Sequence, residues 1–204
     1  VAFSDGPRGV VMGNSTCFPV SMARGASFND ELEYEIGTAI AKEVIAGGGN
    51  YFAGICINLL RNPRWGRAQE SYGEDPFLLG KMGVALTKAV QDNGVIACPK
   101  HFACNSIENL RFSVDVHADE KTLQEVYFPH FKKCIDAGAM SIMGAYNSLR
   151  GDHCCESKYL LTDVLRNQWH FEGFTITDFI FGLRDGKKAL KAGMDIEMPM
   201  MDGL

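Results

Sequence analysis

Short apolar runs of strand length recur along this chain, and nearly every one runs out into a residue able to do chemistry. Tyr51 to Leu60 leads into Asn62 to Arg67, and Val95 to Cys98 leads through Pro99 into Lys100-His101. Ser141 to Tyr146 leads into Asn147, Phe174 to Thr177 into Asp178, and Asp195 to Met198 contains Glu197. Between these strands lie stretches with helix punctuation. Asn29 or Asp30 caps a helix from Glu31 to Ala46, with Gly47 as its left-handed stop. Asp75-Pro76 opens a second that ends near Asn93-Gly94, and Asp119 caps a third, reaching Asp136, which Pro129 must kink or divide. Glu156 to Trp169 carries Leu160, Leu161, Val164 and Leu165 on one stripe, and Arg184 to Lys191 forms a short fifth helix.

Strands alternating with helices across short turns imply parallel pairing and right-handed crossovers, so the class is α/β. A doubly wound open sheet and a (β/α)8 barrel both satisfy that order. In a barrel the functional residues come from the C-terminal ends of several different strands. No G-x-G-x-x-G or G-x-x-x-x-G-K-[ST] follows a strand, which removes the usual nucleotide fingerprints. The pattern predicts a (β/α)8 TIM-type barrel.

Composition excludes several other classes. With 46% hydrophobic and 22% charged residues the chain is an ordinary globular one, neither disordered nor a disulfide miniprotein. A net charge of −5 gathers no phosphate backbone or anionic lipid, so nucleic acid is excluded as a partner, and no apolar run approaches the roughly 18 residues of a membrane span. Most of the seven cysteines, which include no C-x-x-C pair, read as buried thiols of a reduced protein, which favours a cytoplasmic location. His153-Cys154-Cys155 lacks a partner at zinc spacing, so no metal is expected.

Asp178 ends an apolar strand and precedes Phe179-Ile180-Phe181. A carboxylate in such company is costly to bury unless it is hydrogen-bonded or has a reaction to perform, and it reads equally as a helix cap. Lys100 and His101 are neighbours, and on a regular strand they would point to opposite faces, so aiming both at one pocket needs unusual backbone. The loop Asn62-Pro63-Arg64-Trp65-Gly66-Arg67, with Glu70 and Glu74 behind it, offers forked donors for hydroxyls or carboxylates and an indole to cover a sugar face. Its acids are expected to orient the arginine that meets a ligand. Asp5 heads the turn Asp5-Gly6-Pro7-Arg8-Gly9, and Met143 reads as core on its own.

These pieces, in this order, resemble glycoside hydrolase family 3, the β-glucosidase and β-xylosidase group. The resemblance rests on DGPRG (5–9), NPRWGRAQESYGEDP (62–76), KHFACNSIEN (100–109), MGAYN (143–147), GFTITDF (173–179) and AGMDIEMP (192–199). It implies that Asp178 is the catalytic nucleophile of a retaining hydrolase, which requires neither a metal nor an organic cofactor. It implies that Asp5, Arg67, Lys100 and His101 bind hydroxyls of the cleaved sugar, and that Met143 and Tyr146 line the same subsite. Where the family often has Trp after the nucleophile, this chain has Phe179, and Arg8 takes no role. Arg67, Lys100 and Tyr146 would then hold the charge of Asp178 and depress its pKa.

The family's acid/base glutamate usually comes from a following α/β sandwich domain. Glu70, Glu74, Glu108 and Glu197 fall where the pattern makes them structural or peripheral. A barrel of this type is typically about 250 residues, so residues 1–204 are expected to be part of the N-terminal barrel, without the sandwich domain and poorly active alone. The implied substrate is a β-glucoside or oligosaccharide. A β-xylosidase, an α-arabinofuranosidase, or a barrel that binds sugar without cleaving it are the alternatives. A β-N-acetylhexosaminidase is disfavoured because Phe102-Ala103-Cys104-Asn105 departs from the K-H-F-P-G-H pattern.

Overall fold

The computed structural model describes residues 1–198. Five parallel strands form one sheet: β1 (Phe3–Ser4), β2 (Tyr51–Cys56), β3 (Ile96–Phe102), β5 (Ser141–Gly144) and β8 (Phe174–Ile176). Their spatial order is the order in which the chain visits them, and a bridge from Ile176 to Ile196 adds the next rung. A doubly wound sheet reverses direction at a switch point. This sheet winds one way only, as the wall of a β/α barrel does.

Each crossover carries a helix with a legible start. Asn29 Oδ1 accepts from Leu32 N at 2.9 Å ahead of the helix Asp30–Ala46. Asp75 accepts from Phe77 N and Leu78 N at 2.9 and 3.3 Å ahead of Pro76–Asp92. Asp185 Oδ1 accepts from Lys188 N at 3.0 Å ahead of Gly186–Ala192, which ends on Gly193 at φ +103°. That helix begins two residues later than the sequence pattern placed it. The left-handed stop after the first helix falls on Gly48, with φ +81°, and not on Gly47, with φ −78°.

Pro129 divides its helix as anticipated. A short turn Glu120–Thr122 passes into a wide turn Leu123–Tyr127, and a regular helix restarts at Pro129–Asp136. Tyr159–Gln168 is likewise wound wide, with Trp169 N donating to Val164 O at 3.0 Å, and Leu160, Leu161, Val164 and Leu165 are all buried. Four strands differ in extent from the sequence reading: β5 stops at Gly144, two residues short of Tyr146, and β8 at Ile176, one short of Thr177. β2 stops at Cys56, four residues short of Leu60, and β3 continues through Pro99 to Phe102. The β2–β3 register shifts between Phe52 and Ile55, and Ile55 then pairs with Pro99, a residue with no N–H for the ladder. The segment Asp195–Met198 pairs at a single bridge instead of forming a strand, and Pro199 of the AGMDIEMP motif lies outside the described residues.

Side chains alternate between two cores. Those facing the helices, among them Phe52 and Phe102, pack with helix residues such as Leu86 and Phe131 to form the larger one. Those facing the barrel axis, Tyr51 and Ala53 on β2, Cys98 on β3, Met143 on β5 and Ile176 on β8, form a second, with Phe3, Ile96 and Phe174 against it. A small second sheet joins β4 (Asp115–Val116), β6 (Ser148–Leu149) and β7 (Asp152–His153) above the main one. Six of the seven cysteines are buried and all are free thiols, Cys17 alone being exposed. No helix among the described residues is long and apolar enough to cross a membrane.

Phe102 is fully buried between Phe128, Phe131 and Trp169, with ring centroids at 5.4, 5.2 and 5.6 Å. Phe102→Ala is expected to lower unfolding free energy by about 3–5 kcal/mol, read from urea denaturation.

Candidate active site

The axis-facing alternation delivers the site. On β3 the inward residues run Ile96, Cys98, Lys100; on β8 they run Phe174, Ile176 and then, one step past the strand, Asp178; after β1, Phe3 is followed by Asp5. Three strands thus lift three charged side chains off the same apolar floor. Lys100 Nζ meets Asp5 Oδ1 at 2.6 Å.

His101 joins them although it follows Lys100 directly. The peptide bonds Lys100-His101 and Phe102-Ala103 are both cis. Asn58 holds His101 from three sides: its Oδ1 accepts from the His101 backbone N–H and lies 2.8 Å from Nδ1, and its Nδ2 donates to the His101 carbonyl at 2.8 Å. An amide oxygen only accepts, so Nδ1 carries the proton and Nε2 is bare. Arg67 Nη1 donates to that Nε2 at 3.0 Å. Burial, reinforced by Arg67, Lys100 and Arg111, keeps the imidazole pKa well below its ordinary value. The 3.5 Å approach of Nε2 to Asp178 Oδ2 is therefore a contact of a neutral ring with a carboxylate and not an ion pair.

Arg67 is itself clamped. Its Nε and Nη2 grip the Glu70 carboxylate at 3.0 and 2.7 Å, a two-bond fork that fixes the guanidinium plane. Burial, the largest single influence, would lower the arginine's pKa, but the fork together with the neighbouring Glu70 and Asp178 charges and the Cys56 thiol raises it above its usual value. Of the acids in this loop, Glu70 is the one that orients Arg67. Trp65 does not present its indole to a ligand. It is 4% exposed, packs with Cys56 and Ala68, and donates from Nε1 to Glu108 at 2.9 Å, because the loop turns it under itself.

Asp178 is 6% exposed. Its Oδ1 accepts from the Phe179 N–H at 2.8 Å, whereas Oδ2 is buried with no hydrogen-bond partner. Burial pushes the carboxyl pKa up, against Lys100, the Phe179 N–H and Arg67, which pull it down. The net direction is upward, contrary to the sequence expectation. Low-dielectric surroundings outweigh the cations, and the Tyr146 hydroxyl gives its proton to the Phe179 carbonyl instead. Met143 is fully buried in the axial cluster and forms floor under the site, while Tyr146 stands at its side.

Sequence reasoning missed Asn58, Arg111 and Phe112. An amide inside the run Tyr51 to Leu60 was the available signal for Asn58. Arg111 lies over the rings of Tyr146 and Phe112, at 4.5 and 4.9 Å from their centroids, and is tied to Glu108 at 2.8 Å. Phe112 in turn meets Tyr146 edge-on at 4.9 Å and Phe181 at 5.3 Å, forming an aromatic rim beside the nucleophile candidate. Nothing in the local pattern marked that loop. Among the described residues no three His, Cys, Asp or Glu side chains converge as a metal ion requires.

A family model described as the N-terminal domain of glycosyl hydrolase family 3 matches residues 3–203. The chain belongs to glycosyl hydrolase family 3. Within the family it is 39% identical over 93% of its length to thermostable beta-glucosidase B of Acetivibrio thermocellus, and 38% identical over 98% to a beta-glucosidase of Kluyveromyces marxianus. It covers 25% and 24% of those two proteins, so the chain spans about a quarter of the length of the curated relatives it matches. The Kluyveromyces marxianus beta-glucosidase in complex with glucose superposes with a TM-score of 0.95 at 37% identity, over 98% of this chain and 25% of that one. The GH3 beta-glucosidase of Bifidobacterium adolescentis superposes at 0.94 and 36%, over 97% and 30%. The family's barrel architecture is thus the fold of this chain.

The raised pKa of Asp178 has a consequence for stability. The folded protein binds that proton more readily than the unfolded chain, so the contribution is full below the unfolded carboxyl pKa and is lost as pH rises through the folded one. Above that window an ionised carboxylate is held where burial disfavours it. Asp178→Asn is expected to raise Tm at pH 7 by about 2–4 °C, with the gain shrinking as pH falls through the window. Paired thermal melts across pH check this, since the acid-side loss from neutral His101 is common to both proteins.

Proposed function

We propose that this chain carries the nucleophile and the sugar-binding half of a retaining β-glucosidase site. The observation that supports this most strongly is Asp178 Oδ2, an unpartnered carboxylate oxygen buried among Lys100, Arg67 and a neutral His101. An acceptor left bare in such a place is costly unless something arrives to use it. In this reading Oδ2 attacks the anomeric carbon, the bond to the leaving oxygen breaks, and that oxygen takes a proton from an acid. Water then hydrolyses the glycosyl-enzyme ester and regenerates the carboxylate. Asp5, Lys100, His101 and Arg67 bind sugar hydroxyls whose hydrogen bonds tighten as the ring flattens. Met143 forms the floor and Tyr146 the wall.

The proton donor is assigned to polypeptide outside this chain, in the family's α/β sandwich domain, with residues 1–204 belonging to the barrel. Three carboxylates near the cation cluster are already engaged: Asp5 by Lys100, Glu70 by Arg67 and Glu108 by Arg111. Glu197 borders a groove with Leu183, Ala189 and Leu190, on the outer side beside the helix Gly186–Ala192. The length of the relatives leaves ample room for another domain.

A 2,4-dinitrophenyl 2-deoxy-2-fluoro-β-D-glucoside needs no acid for its leaving group. Mass spectrometry of the labelled protein should find one covalent glycosyl group on the peptide containing Asp178; a folded protein that stays unlabelled overturns the nucleophile assignment. Across aryl β-glucosides, this chain alone should lose about 10²–10⁴-fold in rate from dinitrophenol to phenol leaving groups. A flat dependence would place a working acid within it.

A further inference from the structure

Arg24 lies outside the cation cluster, on the short helix Ser21–Gly25, yet it is 3% exposed and faces Glu33, which is equally buried. Its Nη1 lies 3.1 Å from Glu33 Oε1, and its Nη2 donates to the Pro7 carbonyl at 2.7 Å and to Ser21 Oγ at 2.9 Å. The Tyr72 hydroxyl donates to the same Glu33 oxygen at 2.5 Å, and the Arg24 guanidinium sits 5.7 Å from the Tyr72 ring centroid. Gly25 allows this approach, since a Cβ there would stand 2.2 Å from the Tyr72 carbonyl oxygen. As glue, a buried ion pair is a poor choice, because an apolar pair of similar volume often stabilises as well or better. An apolar pair cannot, however, bond the Pro7 carbonyl, the Ser21 hydroxyl and the Tyr72 hydroxyl at once.

The atoms it ties are informative. Pro7 is two residues from Asp5, and Tyr72 is two residues from Glu70, the acid that forks Arg67. Ser71, between them, donates to the Asn58 carbonyl at 2.6 Å, and Asn58 is the residue that holds His101. Polar contacts thus run from the Asp5 turn through Arg24 and Glu33 to the Tyr72 hydroxyl, and the chain itself carries the link on from Tyr72 through Ser71 to Asn58 and Glu70, on the Arg67 and His101 side of the site. We infer that Arg24 and Glu33 are a positioning pair that sets the distance between the Asp5 turn and the Arg67 loop, and so tunes how tightly the sugar is gripped. The inference rests on the assignment of Asp5 and Arg67 to the sugar subsite.

The test uses the fluoroglucoside as probe and separates its half-saturating concentration from its maximal labelling rate. Arg24→Lys keeps the charge and loses the fork. The double variant Arg24→Met/Glu33→Leu keeps volume and removes both charges, which guards against a misfolded single variant. Tyr72→Phe removes only the hydroxyl. Asp5→Asn serves as the reference for direct contact. The Arg24 variants are expected to raise half-saturation about tenfold, as small misplacements do, while the maximal rate stays within about twofold. A role confined to stability would lower Tm and the fraction labelled without moving half-saturation. Half-saturation unchanged in the folded Arg24 variants but raised in Asp5→Asn overturns the inference and leaves the subsite assignment standing. If Asp5→Asn is also unchanged, the subsite assignment fails and the inference fails with it.

Discussion

Everything around the site answers to one constraint, a carboxylate held at 6% exposure with one oxygen bare. Such a group demands cations, and cations brought that close to each other demand anions or neutral spacers of their own. Lys100 is matched by Asp5 and Arg67 by Glu70. His101 serves as the spacer: it is neutral, its Nδ1 proton is committed to Asn58, and its bare Nε2 absorbs a donor from Arg67. Protonating that ring would put a third positive charge beside Arg67 and Lys100, which is one reason its pKa is held low. The cluster is thus a lattice of alternating signs whose one unsatisfied point is Asp178 Oδ2.

Much of this was legible because side-chain alternation is a rigid rule. Phe174, Ile176 and Asp178 share a face by counting twos, as do Ile96, Cys98 and Lys100, and a charge that continues an apolar inward stripe must lie at the mouth of the barrel. Helix starts were equally readable at Asn29, Asp75 and Asp119, where a side-chain oxygen takes the first free amides. The sequential strand order was foreshadowed by polar residues at the end of each apolar run.

What escaped sequence reading depended on partners far along the chain. Trp65 looked like a sugar platform because its neighbours are polar, but Glu108, 43 residues away, takes its N–H and draws it inward. The direction of the Asp178 pKa escapes a count of cations, because such a count says nothing of how dry the cavity is, and burial is the larger influence. The apolar run Val95 to Cys98 stops at Pro99, yet β3 passes through it, because a local shift in register accommodates the missing N–H. Arg24 and Glu33 were passed over for a related reason. Each reads as an ordinary surface charge on an amphipathic stretch until the fold closes over both.

The small sheet above the barrel has a further meaning. β4 follows the loop that carries Arg111 and Phe112, and it pairs with β6, which follows Tyr146. Ser148 N donates to Val114 O and Arg150 N to Val116 O at 2.9 and 3.0 Å, so the loops after two neighbouring strands are stitched backbone to backbone. Loops joined in this way cannot breathe separately to admit differently shaped guests. Under the function proposed above, selectivity on this side of the mouth is set by which side chains line a stiff rim, and a change of preference along a lineage would come by exchanging residues such as Phe112 in place, without altering loop length.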